Sequence, residues 1–394
     1  MLADWKDTRL GDAIALQRGY DLPHRDRRPG GVPVVSSCGI TSTHDKSLVR
    51  GPGVVTGRYG TIGEVFYVTE DFWPLNTTLF VKEFKGNDPL YVAYLLRTID
   101  YGSYSGKSGV PGVNRNDLHE IAINLPPVPE QRSIASALSD IDALIGTMDR
   151  LILKKSGLRR AAAQQLLTGK RRLPGFGRAS PRDKQTDVGP IPEDWDCTEL
   201  RELNPFVTSG SRGWARFYSD RGSPFIRITN MTRRRIELDL RDLKFVTLPS
   251  DDREGTRTEL QRDDVLISIT ADIGIVSYVS ANVPKPAYIN QHIALVRFDP
   301  SKTSGKYVSN FLASERPQRF FRESTDVGAK AGMNLATVRK LRVALPSFLE
   351  QCAIATALGD MDAEISVTER QRDKIRFLKQ GMMQELLTGR IRLV

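Results

Sequence analysis

Little in this chain speaks for chemistry of its own. Cysteine is nearly absent: Cys38, Cys197 and Cys352 are odd in number and far apart. That excludes a disulfide framework and a thiolate metal site, and it fits a reducing compartment. The four histidines, His24, His44, His119 and His292, show no metal-ligand spacing, so no metal is expected. No apolar run is long enough to cross a bilayer. Met1–Asp7 lacks the apolar stretch of a secretory signal, so a cytoplasmic protein is expected. Catalytic motifs are also missing. Gly102–Ser108 is one residue short of a phosphate-binding loop, because Tyr101 stands where the first glycine belongs. Gly57, Gly60 and Gly63 do not have dinucleotide-binding spacing. Asn204-Pro205-Phe206 lacks the second proline of an adenine-methyltransferase tetrapeptide. Asp71, Glu83 and Lys85 can be forced into a nuclease pattern, but such spacing is common by chance. No Ser/His/Asp or Cys/His set stands out.

What is present is a basic chain able to build a core. Apolar residues make up 40% of 394 residues, enough to fold two or three domains. Lys and Arg exceed Asp and Glu by ten, which favours a polyanionic partner such as nucleic acid.

The most informative feature is a repeat. Residues 125–173 and 345–393 align without a gap at an offset of 220, with 22 identities in 49 positions. Each copy reads as one long helix. Apolar residues recur at alternating steps of four and three: Ile134, Leu138, Ile141, Ile145, Met148, Ile152, Ala162 and Leu166. The second copy gives Ile354, Leu358, Met361, Ile365, Ile375, Met382 and Leu386. That is a coiled-coil seam, polar in its middle at Lys155, Arg159, Thr368 and Arg372. Pro126, Pro127 and Pro129 suit a helix start, and Ser347 with Glu350 suits a capping box. Both helices stop at Leu-Leu-Thr-Gly, with Gly169 and Gly389 expected in the left-handed conformation. Basic residues Lys170, Arg171, Arg172, Arg390 and Arg392 follow, beside the negative end of the dipole. About 40 residues give a rod of roughly 55–60 Å, and the two rods are expected to pack antiparallel on each other.

The segments around the rods read as mixed α and β. Strands are expected at Val32–Ser36, Gly63–Val68 and Leu79–Glu83, and a helix at Leu90–Ile99. In the second segment strands are expected at Phe225–Ile228, Asp264–Ile269, Ile273–Val279 and Ile293–Phe298, and a helix at Ser304–Leu312. Shared marks tie the segments together. These are Asp4-Trp5 and Asp194-Trp195, an Ile-Gly turn at Ile62 and Ile273, Asn76 and Asn290 before a β-rich run, and an Asn-bearing loop at Gly112–Leu118 and Gly332–Val338. Two diverged cousins on two similar rods are what a reader of a two-part site would look like.

Here the chain resembles the specificity subunit of type I restriction-modification systems. The resemblance rests on the Leu-Pro…Glu-Gln…Ile-Ala…Leu…Asp-x-Asp start and the Leu-Leu-Thr-Gly-Lys/Arg end of each rod. Gly189–Trp195, Arg18–Pro23 and Gly57–Gly63 are similar to segments of that family. The resemblance implies a mixed α/β fold of two globular α+β target-recognition domains, separated by two long antiparallel helices forming a coiled coil in a pseudo-two-fold arrangement. The implied division is 1–124 and 190–344 for the recognition domains, 125–173 and 345–394 for the helices, and 174–189 for a linker. It implies a non-catalytic subunit that reads a bipartite, interrupted target on double-stranded DNA. Two methylation subunits, which carry S-adenosylmethionine, and motor-nuclease subunits would then modify adenine and restrict. No cofactor is expected in this chain. The helices would set the unread spacer, since two half-sites need a fixed distance and rotation.

Direct readout uses Arg or Lys on guanine and Asn or Gln on adenine, with phosphate contacts to hold register. Candidates in the first segment are Arg58, Tyr59, Thr61, Lys107, Asn114 and Arg115. In the second they are Arg212, Arg227, Arg234, Thr270, Asn290, Gln291, Lys330 and Asn334, with Arg233-Arg234-Arg235 as a phosphate-contacting cluster. Two other readings stand beside this one: a free-standing DNA methyltransferase or nuclease with an unrecognised site, and a coiled-coil scaffold that ignores DNA.

Overall fold

The computed structural model describes residues 5–104, 112–177, 183–210, 212–249, 253–325 and 332–393. It divides into two units: Met1–Arg150 with Glu369–Val394, and Leu151–Thr368. The division runs through both long helices. Each unit therefore holds one globular domain, the start of one helix and the end of the other.

In the first unit the strands are β1 (Lys6–Arg9), β2 (Ala15–Arg18), β3 (Val32–Ser36), β4 (Gly39–His44), β5 (Gly53–Gly57), β6 (Val65–Val68), β7 (Trp73–Pro74), β8 (Thr78–Glu83) and β9 (Ala122–Leu125). The helices are α1 (Leu10–Ala13), α2 (Pro89–Arg97), α3 (Arg115–His119) and the long α4 (Val128–Leu166). One sheet has the order β2-β8-β5-β6 and a second β4-β3-β7, while β1 pairs with β9. Val54, Leu79, Val81 and the α2 residues Tyr91, Val92 and Leu95 close the main core.

The second unit repeats this plan. Its strands are β10 (Asp183–Lys184), β11 (Ile191–Pro192), β12 (Asp196–Glu199), β13 (Phe206–Ser209), β14 (Tyr218–Ser219), β15 (Ser223–Ile226), β16 (Lys244–Val246), β17 (Val265–Ser268), β18 (Val276–Tyr278), β19 (Tyr288–Ile289), β20 (Ile293–Arg297) and β21 (Arg342–Leu345). Its helices are α5 (Arg253–Thr258), α6 (Gly305–Leu312), α7 (Glu315–Thr325), α8 (Leu335–Arg339) and the long α9 (Phe348–Leu386). The order β13-β20-β17-β18 copies β2-β8-β5-β6 strand for strand, and β12 pairs with β21 as β1 does with β9. The parallel pair β15·β19 matches β3·β7. The second unit adds α5 and α7.

Both long helices have 39 residues. Within the first unit, Glu130 of α4 meets Arg392, Asp142 meets Lys379 and Asp149 meets Arg372. Within the second, Lys155 meets Glu364, Arg159 meets Asp362 and Arg172 meets Glu350. As one number rises the other falls, so the helix segments run antiparallel in each unit. The polar middle of the seam is therefore ion-paired. Its outer thirds are apolar: Ile134, Ala135 and Leu138 pack with Leu386 and Leu387, and Ile354, Ala355 and Leu358 with Leu166 and Leu167.

The repeated Glu-Gln dipeptide has a double task. Gln131 donates to the Pro126 carbonyl at 2.9 Å and accepts from the Asp88 amide at 2.9 Å, and Asp88 caps α2. Gln351 does the same with Pro346 and with the Ser304 amide at 3.1 Å, and Ser304 caps α6. The preceding glutamates clamp the basic residue after the other helix's end. Arg392 donates to Glu130 at 2.7 and 2.8 Å, and Trp5 Nε1 donates to the same carboxylate at 3.0 Å. Burial pushes the Glu130 carboxyl up, but Arg392 and Trp5 outweigh it and hold the group below the usual range. This corrects two expectations. The Ser347 capping box is half made: the Glu350 amide donates to Ser347, but the Glu350 carboxylate goes to Arg172. Arg172 and Arg392 likewise serve these clamps, with their carboxylate partners on the other long helix. Gly169 and Gly389 do end their helices in the left-handed region, at φ 68° and 71°.

Candidate nucleic-acid interface

In each unit four chain segments meet at one edge of the main sheet. In the first, the Arg58 and Tyr59 amides, just past β5, donate to the Thr77 carbonyl at 2.9 and 3.1 Å. The Val113 amide, just before α3, donates to the Arg58 carbonyl at 3.0 Å. The Gly19 amide, just past β2, donates to the Thr78 carbonyl at 3.0 Å. In the second unit the Ile269 amide donates to His292 at 2.9 Å, the Met333 amide to Ile269 at 2.8 Å and the Gly210 amide to Ile293 at 3.2 Å. The two crossings are the same object built twice.

The glycines explain how the segments come so close. A Cβ on Gly19 would lie 2.1 Å from the Leu75 carbonyl oxygen, and one on Gly210 would lie 2.1 Å from that of Asn290. Only hydrogen fits there.

The crossing gathers most of the sequence-derived candidates. Arg58 lies 4.5 Å over the exposed Tyr59 ring. Tyr59 also bridges to Gly112, which brings Asn114 and Arg115 alongside. Thr61 is exposed in the turn beyond, its carbonyl so near Gly57 that a Cβ would meet it at 1.7 Å. In the second unit Thr270, Asn290, Gln291 and Asn334 come together. Arg212 is exposed two residues past Gly210. Asn114 and Asn334 are helix caps, accepting from the Asn116 amide at 3.0 Å and the Thr337 amide at 2.8 Å. Lys107 and Lys330 lie outside the described residues.

The arginine triplet is different from the cluster expected. Arg233 donates to the Ile273 carbonyl at 2.8 Å and to Gln318 at 2.6 Å and pairs with Asp272, while Arg235 reaches Ser366 at 3.3 Å. These two arginines hold the fold; Arg234 is exposed between them. Arg227 is next to the crossing, since the Asn290 amide donates to Ile226, but its half-buried guanidinium faces Asp242 at 3.6 Å. Sequence reasoning marked Asn76 only as a shared asparagine before a β-rich run and missed its partner Asp21. It also aligned Asn76 with Asn290. The bonds from Thr78 to Leu75 and from Ile293 to Asn290 match Leu75 with Asn290 and Asn76 with Gln291.

The near-miss catalytic sets dissolve into structural roles. Asp71 accepts from the Gly51 amide at 2.9 Å and Lys85 donates to the Gly11 carbonyl at 2.6 Å. Asn204 ends a helical turn with φ 49°. His44 accepts from the Arg28 amide at 3.0 Å.

His119 Nε2 accepts from the Leu16 amide at 2.9 Å, which ties α3 to β2. Burial first, then Arg115 and Lys85, hold its imidazole below the usual value of 6.5. The unfolded chain therefore takes up this proton at a higher pH than the folded one. The stability is full above about pH 6.5 and is lost as pH falls through the lower folded value. Unfolding in denaturant at pH 7.5 and 5.5 is expected to show a larger acid loss for the unchanged chain than for His119→Asn. Equal losses would contradict this role.

The architecture and its doubled crossing define a class: a two-domain chain that presents the same loop scaffold twice with different side chains. The model of the type I restriction modification DNA specificity domain matches residues 3–154 and 192–376. The chain is 25% identical over 410 residues to the type I restriction enzyme MjaVIII specificity subunit of Methanocaldococcus jannaschii, covering 99% of this chain and 93% of the other. It is 28% identical over 321 residues to the putative type I restriction enzyme MjaX specificity subunit of the same organism, covering 77% and 68%. Among solved structures, the type I restriction-modification S subunit from M. genitalium superposes with a TM-score of 0.65 at 14% identity, over 98% of this chain and 96% of that one. A chain from a structural study of type I complex assembly and conformational transition gives 0.54 at 15% identity, over 98% of each. The chain belongs to the type I restriction-modification DNA specificity family.

Proposed function

We propose that this chain is the non-catalytic, sequence-reading subunit of a type I restriction-modification system, working in the cytoplasm. Each unit reads one half of an interrupted target on double-stranded DNA. Two methylation subunits, carrying S-adenosylmethionine, dock along the long helices and methylate adenine; motor-nuclease subunits complete the restriction complex. The observation that carries this reading is the crossing made twice. One backbone scaffold presents Arg58, Tyr59 and Arg115 in one unit, and Thr270, Gln291 and Arg212 in the other. A shared frame with exchanged side chains is what reading two different half-sites needs. The exposed apolar residues Leu144, Leu153, Leu158 and Phe377 on the long helices support protein docking there.

Purified chain titrated with host DNA tests this. Neutralising about six phosphates predicts an affinity loss on the order of a thousandfold between 50 and 200 mM salt. Salt-independent binding or none would favour the scaffold reading. Methyl transfer from S-adenosylmethionine by the chain alone would restore the enzyme reading.

A further inference from the structure

We infer that Asn76 and Gln291 are the adenine-reading residues of the two units, one for each half of the target. This rests on the function proposed above and goes further by assigning a base to a side chain. The two residues occupy the same place. Each stands one residue after the carbonyl that presses on the crossing glycine, Leu75 on Gly19 and Asn290 on Gly210. Each stands one residue before the carbonyl, Thr77 or His292, that holds the β5 or β17 exit.

Around them the two units carry different residues at equivalent positions: Ile269 stands where Arg58 does, Thr270 where Tyr59 does and His292 where Thr77 does. At this position both carry a carboxamide. The other shared amide pair, Asn114 and Asn334, already uses its oxygen to cap a helix.

The amides are fixed but not used up. Asn76 Nδ2 donates to Asp21 Oδ1, and Arg18 stands 3.7 Å from the other oxygen of Asp21. Gln291 Nε2 lies 3.3 Å from His292 Nε2, and His292 Nδ1 lies 2.5 Å from Thr270 Oγ1. An amide nitrogen only donates, so His292 Nε2 must accept. The other ring nitrogen, Nδ1, is then left to bond Thr270 Oγ1.

Each amide thus has its plane set by one N–H. It keeps a second N–H and its oxygen, and neither has another partner among the described residues. One acceptor beside one donor matches the N6–H and N7 of adenine. Guanine offers two acceptors on that edge, cytosine a donor, and thymine an acceptor with a methyl group. Both residues are half-buried, which keeps them in place before DNA arrives.

The test expresses the chain with its methylation partners in a host without adenine methylation and maps methylated sites on that host's DNA. The unchanged chain is compared with Asn76→Ala and Gln291→Ala. Asn76→Ala is expected to lower the preference at one A·T pair of one half-site roughly ten- to a hundredfold. Gln291→Ala is expected to do so in the other half. The untouched half serves as the control that the variant has folded. Thr270→Val, which removes the support of His292, is expected to weaken the same position as Gln291→Ala, by less. Relaxation at a G·C pair, an unaltered motif, or a uniform fall in methylation with every position retained would each overturn the assignment. If the unchanged chain yields no two-part motif, the proposed function falls too. If it yields one and the variants leave it intact, this inference alone falls.

Discussion

Replacing Glu350 with alanine is expected to destabilise the second unit by about 3–5 kcal/mol, the usual cost of breaking a buried ion pair from one side. The Glu350 and Arg172 side chains are 1% and 6% exposed. Arg172 donates to Glu350 through two nitrogens and to Asp194 at 3.0 and 3.1 Å, with its guanidinium 5.6 Å from the Trp195 ring centre. Without Glu350 the cation stays in place with one exposed partner. The same clamp in the first unit, Glu130 with Arg392, has a partly exposed arginine, so Glu130→Ala is expected to cost somewhat less. The comparison variant is Arg342→Ala. Its pair with Asp187 is 44% and 70% exposed, and it should cost no more than about 1 kcal/mol. Denaturant midpoints at neutral pH give the three values. A Glu350→Ala effect no larger than that of Arg342→Ala would show that the clamps do not hold the helix ends.

Gly210→Val is expected to remove readout of one half-site, and Gly19→Val that of the other. A side chain at either place meets a backbone carbonyl at 2.1 Å, and a carbonyl held by the sheet cannot rotate away. The loop must shift, and with it Asn290 and Gln291, or Leu75 and Asn76. Losing one base contact at about 1–3 kcal/mol lowers affinity roughly ten- to a hundredfold. Fluorescence anisotropy of the assembled complex on its target duplex measures this, and a duplex altered only in the affected half provides the contrast. An unchanged Kd, or equal weakening at both halves, would contradict the crossing as the reading edge.

The long helices were legible because their signals are local and doubled. The seam, the Leu-Leu-Thr-Gly stop and the offset of 220 each point to the same elements. The clamps were not legible, because Glu350 meets Arg172 across 178 positions of sequence. Glu350 instead read as a capping residue, the short-range task its spacing suggests. Central strand β5 escaped because Gly53–Gly57 begins and ends in glycine and is buried on both faces, so it has no alternating pattern. In β2 and β13, four residues leave too short a window for periodicity. At the candidate interface, the Gly-rich turns pointed to one edge of the sheet, and Arg58, Tyr59, Asn114 and Arg115 do share it. What sequence spacing missed was register: Asn76 corresponds to Gln291 through backbone bonds, while the letters align it with Asn290. The partners of the arginine triplet were hidden for a related reason. A run of charge says nothing about acceptors elsewhere in the chain, and Asp272 and Gln318 had already taken Arg233.

As proposed above, this chain guides adenine methylation to a two-part site without performing it. A map of methylated adenines across the host genome, with the gene present and deleted, tests it directly. Deletion is expected to remove one interrupted motif with two specific halves and to leave every other methylated motif in place. Loss of an uninterrupted motif, or persistence of every motif when the methylation partners are expressed, would contradict it.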